Sequence, residues 1–151
     1  SMRRGLNRDV HMVAAHPTDP ATVFVATADG FHISHDHGDS FHRRQEGMPY
    51  HYQRTVACFP GRDVYLASTA RGNGGSGALL FRTKDQGGHW IVVDGLPKVD
   101  RNINTWQAAT FPDGRALAVV RDTDLYASED WGASWAKVRE GLPTVNAILP
   151  L

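Results

Sequence analysis

An octapeptide that occurs three times limits what this chain can fold into more than any other feature. It reads Ser34-His35-Asp36-His37-Gly38-Asp39-Ser40-Phe41, then Thr83-Lys84-Asp85-Gln86-Gly87-Gly88-His89-Trp90, then Ser128-Glu129-Asp130-Trp131-Gly132-Ala133-Ser134-Trp135. The common pattern is a hydroxyl residue, any residue, Asp, any, Gly, any, a small or polar residue, and an aromatic. Each copy follows a short apolar run and is read as a hairpin turn. Gly38, Gly87 and Gly132 supply the positive φ that such a turn needs. Asp36, Asp85 and Asp130 accept hydrogen bonds from N–H groups inside the turn, and the hydroxyls of Ser34, Thr83 and Ser128 close it from the entry side. Phe41, Trp90 and Trp135 open the return strand with a large apolar surface. His89 stands where the other copies have Ser, so the second turn is expected to be held less tightly.

The copies begin 49 and 45 residues apart, and two further markers keep their rhythm. Gly47-Met48-Pro49, Gly95-Leu96-Pro97 and Gly141-Leu142-Pro143 each follow an octapeptide; His16-Pro17, Phe59-Pro60 and Phe111-Pro112 each close an apolar run. Between the markers lie four short strand patterns per unit. They are about 10–15, 22–27, 31–34 and 41–45 in the first, 55–59, 64–68, 78–83 and 89–93 in the second, and 105–111, 116–120, 125–128 and 134–138 in the third. No sustained helical period occurs, so the class is all-β. Four-stranded antiparallel units of this period are the blades of a β-propeller, which must stack to bury both faces. The blades are placed at about 8–47, 53–95 and 103–141, with an extra inner strand at 145–151.

The octapeptide resembles the Asp-box, or BNR repeat, of sialidases, sortilin-type receptors and many bacterial propeller proteins. Three blades are too few to close a ring when propellers use about four to eight. The chain is therefore expected to be the C-terminal part of a larger ring, or to complete a ring by homo-oligomerisation.

The resemblance also implies where a ligand would bind: on the face opposite the octapeptide turns. There the candidates are Tyr50, His51, Tyr52, Arg54, Arg71, Arg101, Asn104, Trp106, Arg121 and Asp122. Arginines clamp carboxylates and phosphates, and tyrosines stack on sugar rings. The Gly-rich insertion 70–77 lies on the same face. No helix follows it and no P-loop lysine is present, so it is read as a flexible hairpin loop rather than a phosphate cradle. Sialidases hold their acidic sugar with three arginines, and Arg54, Arg71 and Arg121 invite that assignment. The family's N-terminal arginine signature and its tyrosine, glutamate and aspartate have no counterparts here. A glycosidase needs two carboxylates flanking the bond, and Asp29, Asp100, Asp122 and Asp124 offer no distinct pair.

Composition narrows the partners. The 16 basic and 16 acidic residues balance, so no surplus charge advertises nucleic acid or an anionic membrane. No apolar run approaches the roughly 20 residues of a membrane helix. Cys58 is the single cysteine, excluding an intrachain disulfide, and is read as a buried inert thiol. His32, His35, His37 and His42 crowd one hairpin. His35 and His37 are the metal-ligand candidates, but both fill variable positions of the repeat and are expected to be exposed without function; His11 on the first inner strand is a minor ligand candidate. No cofactor is expected. Ser1-Met2 reads as a tag remnant with no secretory leader after it, leaving the compartment open. The leading expectation is a non-catalytic binding or scaffold propeller that takes a saccharide or protein on its loop face. The alternative is a fragment of a sialidase-like or other glycoside hydrolase whose site is completed elsewhere.

Overall fold

A computed structural model describes residues 5–100 and 107–149. Twelve strands form three four-stranded antiparallel sheets, each a simple meander. The first sheet holds β1 (Val10–Ala15), β2 (Val23–Thr27), β3 (Gly30–Ser34) and β4 (His42–Arg43). The second holds β5 (Val56–Cys58), β6 (Tyr65–Thr69), β7 (Leu79–Thr83) and β8 (Ile91–Val92). The third holds β9 (Gln107–Thr110), β10 (Ala116–Val120), β11 (Asp124–Ser128) and β12 (Ala136–Arg139). Among the described residues no helix is present, and the architecture is a partial β-propeller.

Burial explains the strand sequences. The middle strands β2, β3 and β6 are closed in on both faces, which is why they read as almost unbroken apolar or small runs instead of alternating. The outer strands β4, β8 and β12 are exposed throughout. Two cores lie in the seams between blades. The first gathers Phe24, Phe31, Ile33, Tyr65, Phe81 and Trp90; the second gathers Phe59, Leu66, Leu80, Ala118, Tyr126 and Trp135.

Each octapeptide is built to one plan. Its first hydroxyl donates to the Asp carboxylate at 2.7, 2.7 and 2.8 Å and accepts the Gly N–H at 2.9, 3.0 and 3.0 Å. The same carboxylate accepts the N–H of Ser40, His89 or Ser134 at 2.9, 2.8 and 2.9 Å. Two successive residues adopt positive φ: His37 and Gly38, Gln86 and Gly87, Trp131 and Gly132. That is the primed type I turn, whose twist suits a hairpin. The aromatics that end the octapeptides are buried, at 8% exposure for Phe41, 3% for Trp90 and 6% for Trp135.

Three expectations need correction. The second turn is not looser at His89, because the imidazole Nδ1 lies 2.9 Å from Asp85 Oδ2 and replaces the serine hydroxyl. The extra strand expected at 145–151 is not formed over 145–149; Val145 N–H instead donates to the Asp122 carbonyl at 2.8 Å, which draws the segment across the β10–β11 turn. The Gly-rich insertion is folded on itself, with Arg71 N–H donating to the Ser76 carbonyl at 3.0 Å and Gly75 N–H to the Gly72 carbonyl at 3.0 Å. The start of the strand expected at 105–111, and residues 150–151, lie outside the described residues.

Candidate functional site

The meander sends the octapeptide turns to one end of every blade. The other end receives the β2–β3, β6–β7 and β10–β11 loops together with the connections between blades. Tyr50, Tyr52, Arg54, Arg71, Arg121 and Asp122 therefore belong to one end of the sheets.

Two clusters form there. In the first, the Arg71 guanidinium lies over the Tyr50 ring, 5.1 Å from its centroid. The Tyr50 carbonyl is fixed by Gln45 Nε2 at 2.7 Å and by the Thr69 hydroxyl. Gly77, at φ 67, packs beside Tyr50, Arg71 and Lys98, and donates its N–H to Asp100 Oδ1 at 3.2 Å. A cation over an aromatic ring, beside a lysine and a carboxylate, brings apolar ring surface and directional hydrogen-bonding groups together.

The second cluster centres on Tyr52. Its backbone pairs with Ala70, joining the connection to the β6–β7 loop. His11 packs against its ring in a tilted arrangement, centroids 4.7 Å apart and planes at 49°, with Nδ1 hydrogen-bonded to the Gln53 carbonyl and Nε2 3.2 Å from Asp9. Arg54 Nη2 donates to the Tyr52 hydroxyl at 3.2 Å. Gln53 Oε1 and Arg54 Nε are buried without a hydrogen-bond partner, so this cluster retains an unspent acceptor and an unspent donor.

The remaining candidates are dispersed. His51 leaves this end and lines a cavity of about 710 Å³ with Arg44, Glu46, Met48 and the second octapeptide turn. Arg121 and Asp122 occupy the β10–β11 turn at φ 55 and 61, and the third blade's tail crosses them through Leu142 and Val145. Arg101, Asn104 and Trp106 lie outside the described residues. Arg54, Arg71 and Arg121 sit on three separate loops, and the first two are engaged by tyrosines, so they do not form a shared clamp.

The carboxylates argue against an assembled acid pair among the described residues. Asp29 lies 3.6 Å from Arg43, Asp124 lies 3.5 Å from Lys137, and Asp100 is taken by Gly77. Every aspartate whose pKa is displaced is displaced downward, whereas a general acid must be held up. The lowest are those of the octapeptides. Hydrogen bonds from the Ser40 and Ser34 hydroxyls depress Asp36, and those from His89 and Thr83 hold Asp85 at about 2. Burial pushes Asp130 upward, but the Ser134 and Ser128 bonds outweigh it and hold the group at about 2. These carboxylates are ionised turn struts.

His35 Nδ1 lies 3.0 Å from the Thr22 hydroxyl and His37 occupies a positive-φ turn position; among the described residues no group of three or more metal-ligating side chains converges. Cys58 is half-buried, and burial pushes its thiol up to about 12, the property of an unreactive sulfur.

Two features escape a reading of the sequence. Gln45 braces both Phe31 N–H and the Tyr50 carbonyl, and nothing in the repeat marks it because its counterparts are unrelated. His16 Nε2 and the Tyr65 hydroxyl meet on Asp63 Oδ1 at 3.1 and 2.9 Å, clipping the first blade to the second. The His16-Pro17 marker points to the residue but not to its partner.

No family profile matches the chain. A xyloglucanase of Hypocrea jecorina (strain QM6a) is 34% identical over 83 residues, which is 55% of this chain and 10% of that protein. Among solved structures, an ancestral GH74 enzyme superposes with a TM-score of 0.70 at 21% identity, covering 91% of this chain and 19% of the other. The GH74 xyloglucanase from Xanthomonas campestris gives 0.65 at 18%, covering 91% and 23%. YCF48 from Cyanidioschyzon merolae gives 0.60 at 19%, covering 88% and 38%. The structural likenesses establish the propeller fold. The chain spans about a tenth of the curated relative and between a fifth and two fifths of these structures.

Proposed function

We propose that this chain is a propeller segment related to glycoside hydrolases of the xyloglucanase kind, and that its loop end contributes polysaccharide contacts rather than the bond-breaking groups. The 34% identity to a xyloglucanase over 83 residues carries the reading. It favours a glycoside-hydrolase relationship over the stand-alone scaffold expected from the sequence. The sialidase-like version finds no support in the arginines, which are spread over separate loops.

The chemistry of the loop end fits a neutral sugar chain. A pyranose ring offers a C–H face for stacking on Tyr50 and Tyr52. Its hydroxyls can accept from the Arg71 guanidinium and the Lys98 ammonium and donate to the Asp100 carboxylate, the polar groups gathered beside Tyr50. Balanced charge asks for no anionic ligand. Hydrolysis would need two carboxylates on opposite sides of the glycosidic bond, and Asp29 and Asp124 are held in ion pairs while the octapeptide aspartates brace turns.

The test is calorimetric titration of xyloglucan oligosaccharides into the intact chain, beside Tyr50→Ala and Arg71→Ala. Binding that weakens at least severalfold in either variant supports the reading. Failure of any β-glucan oligosaccharide to bind at millimolar concentration overturns it. Release of reducing sugar by the chain alone would overturn the division between binding and chemistry.

A further inference from the structure

The marker that follows each octapeptide carries Leu96 in the second blade and Leu142 in the third, but Met48 in the first. Met48 is 8% exposed and packs into the first seam with Phe24, Phe31 and Trp90. Its sulfur does not meet apolar atoms alone. Gln45 Nε2 donates to it at 3.3 Å and Gln53 Nε2 at 3.1 Å. A thioether is a weak acceptor, and a buried amide N–H normally finds an oxygen. Both glutamines are nevertheless fixed on the sulfur. Gln45 Oε1 accepts the Phe31 N–H at 3.3 Å and its Nε2 also holds the Tyr50 carbonyl at 2.7 Å, so the amide cannot turn away. Gln53 is 0% exposed, its backbone N–H donates to the Thr27 carbonyl at 3.0 Å, and its Oε1 has no hydrogen-bond partner. Among the described residues, the sulfur is the one acceptor that its amide nitrogen reaches.

A small reagent can reach this sulfur. Met48 forms part of the wall of the cavity of about 710 Å³ that Arg44, Glu46 and His51 also line, and exposed Glu46 and His51 stand where it opens to solvent. Met12 supplies the comparison. It is 37% exposed, and its sulfur meets a single donor, the Val56 N–H at 3.4 Å. One methionine is thus open with one donor, and the other is enclosed with two at a cavity wall.

We propose that Met48 is an oxidative modification site, at which a peroxide converts the thioether to a sulfoxide whose oxygen takes hydrogen bonds from the Gln45 and Gln53 amides inside the folded seam. The sulfur lone pair attacks one peroxide oxygen; the S–O bond forms as the O–O bond breaks. Sulfur gives up two electrons, and the leaving hydroxide takes the proton of the transferred hydroxyl to become water. A sulfoxide ordinarily disrupts a core, because it sets a polar oxygen among apolar side chains. Here two donors already point at the sulfur, and the cavity beside it gives the added atom room. The oxygen is a far stronger acceptor than the thioether it replaces, so the modification satisfies the amides that the reduced side chain leaves underused. Leu96 and Leu142, at the same place in the marker, have no such chemistry. This inference stands independently of the polysaccharide reading.

Hydrogen peroxide treatment of the intact, folded chain tests it, with peptide mapping by mass spectrometry to locate each added oxygen and thermal unfolding to read its effect. Met48 is expected to gain one oxygen while the chain stays folded by circular dichroism. Met48→Leu reports what oxidation elsewhere does, and its shift is subtracted. The remaining loss in melting temperature should be under about 2 °C in the unsubstituted chain and at least about 4 °C in Gln53→Leu, which withdraws one donor. Gln45→Leu is the second donor variant and should lose a similar amount. The epimer ratio needs no variant: donors fixed around the sulfur should yield one dominant sulfoxide epimer at Met48, repaired by one of the two epimer-specific sulfoxide reductases. The proposal is overturned if Met48 stays unmodified at peroxide levels that convert Met12. It is equally overturned if oxidation costs the unsubstituted chain as much as the donor variants, or if both epimers form in equal amounts.

Discussion

The two seams share a backbone joint, Gly47 against the Trp90 carbonyl and Gly95 against the Trp135 carbonyl, and differ in what fills them. In the first, Phe24 meets Tyr65 at 4.5 Å and Phe31 meets Trp90 edge-on at 4.9 Å, so aromatic rings on both blades interlock. In the second, Leu66, Leu80, Ala116, Ala118 and Val120 form an aliphatic layer. Trp131 rests on Phe59 at 5.5 Å, under the Arg62 guanidinium at 4.5 Å. The glycine joint and the octapeptide turn depend on backbone atoms and short polar side chains, so the repeat can copy them unchanged. The fill depends on volumes matched across the seam, so each seam evolves its own pair.

The largest effect should come from opening the aromatic seam. Phe31→Ala removes a wholly buried ring between Phe24 and Trp90 and should cost about 3–5 kcal/mol, against about 2–4 for Leu80→Ala in the aliphatic seam. Denaturant titration of both variants breaks the comparison if the aliphatic change costs more. The shared joint makes the next prediction. Gly47→Ala and Gly95→Ala should each lose more than about 1 kcal/mol, by similar amounts, because both force a Cβ onto a carbonyl at positive φ. Tolerance of one but not the other would show that the seams do not share it.

The turns give smaller effects. Asp85→Asn and Asp130→Asn should each cost about 1 kcal/mol, the net value of charge-assisted bonds discounted for solvent exposure. Both carboxylates are held at about 2, below the ordinary 3.8. The stability they contribute is complete above about 3.8 and is lost as pH falls toward 2, so the double variant should flatten acid unfolding through that window. His89 supplies the smallest effect and distinguishes the turns. Hydrogen bonding to Asp85 raises its pKa above 6.5, so its contribution is full below 6.5 and fades as pH rises through the raised value. Thermal unfolding of His89→Ser should lack this alkaline-side decline. If the decline persists, the histidine is not its source.

Most of the blade structure is legible in the sequence because its determinants are local. β1 and β10 are found where their apolar runs place them, and the octapeptide turns follow from Asp and Gly at fixed offsets. The candidate site is less legible. Tyr50 and Arg71 are visible as loop residues, but their contact is not, since 21 residues and two strands separate them. His51 looks like a neighbour of Tyr50 and Tyr52 yet faces the outer cavity, because successive residues of an extended connection point in opposite directions.

By itself the sequence determined the repeat, the turn chemistry and the order of the strands, all set by interactions within a few residues. Only the tertiary structure decided which rings meet across a seam, and that His89 could replace a hydroxyl. It also decided that residues 145–149 close over a turn instead of forming a strand, and that Gly47 and Gly95 seat against the Trp90 and Trp135 carbonyls of the next blade. Those outcomes depend on contacts between residues tens of positions apart, where backbone approach and side-chain volume act together and no local pattern records them.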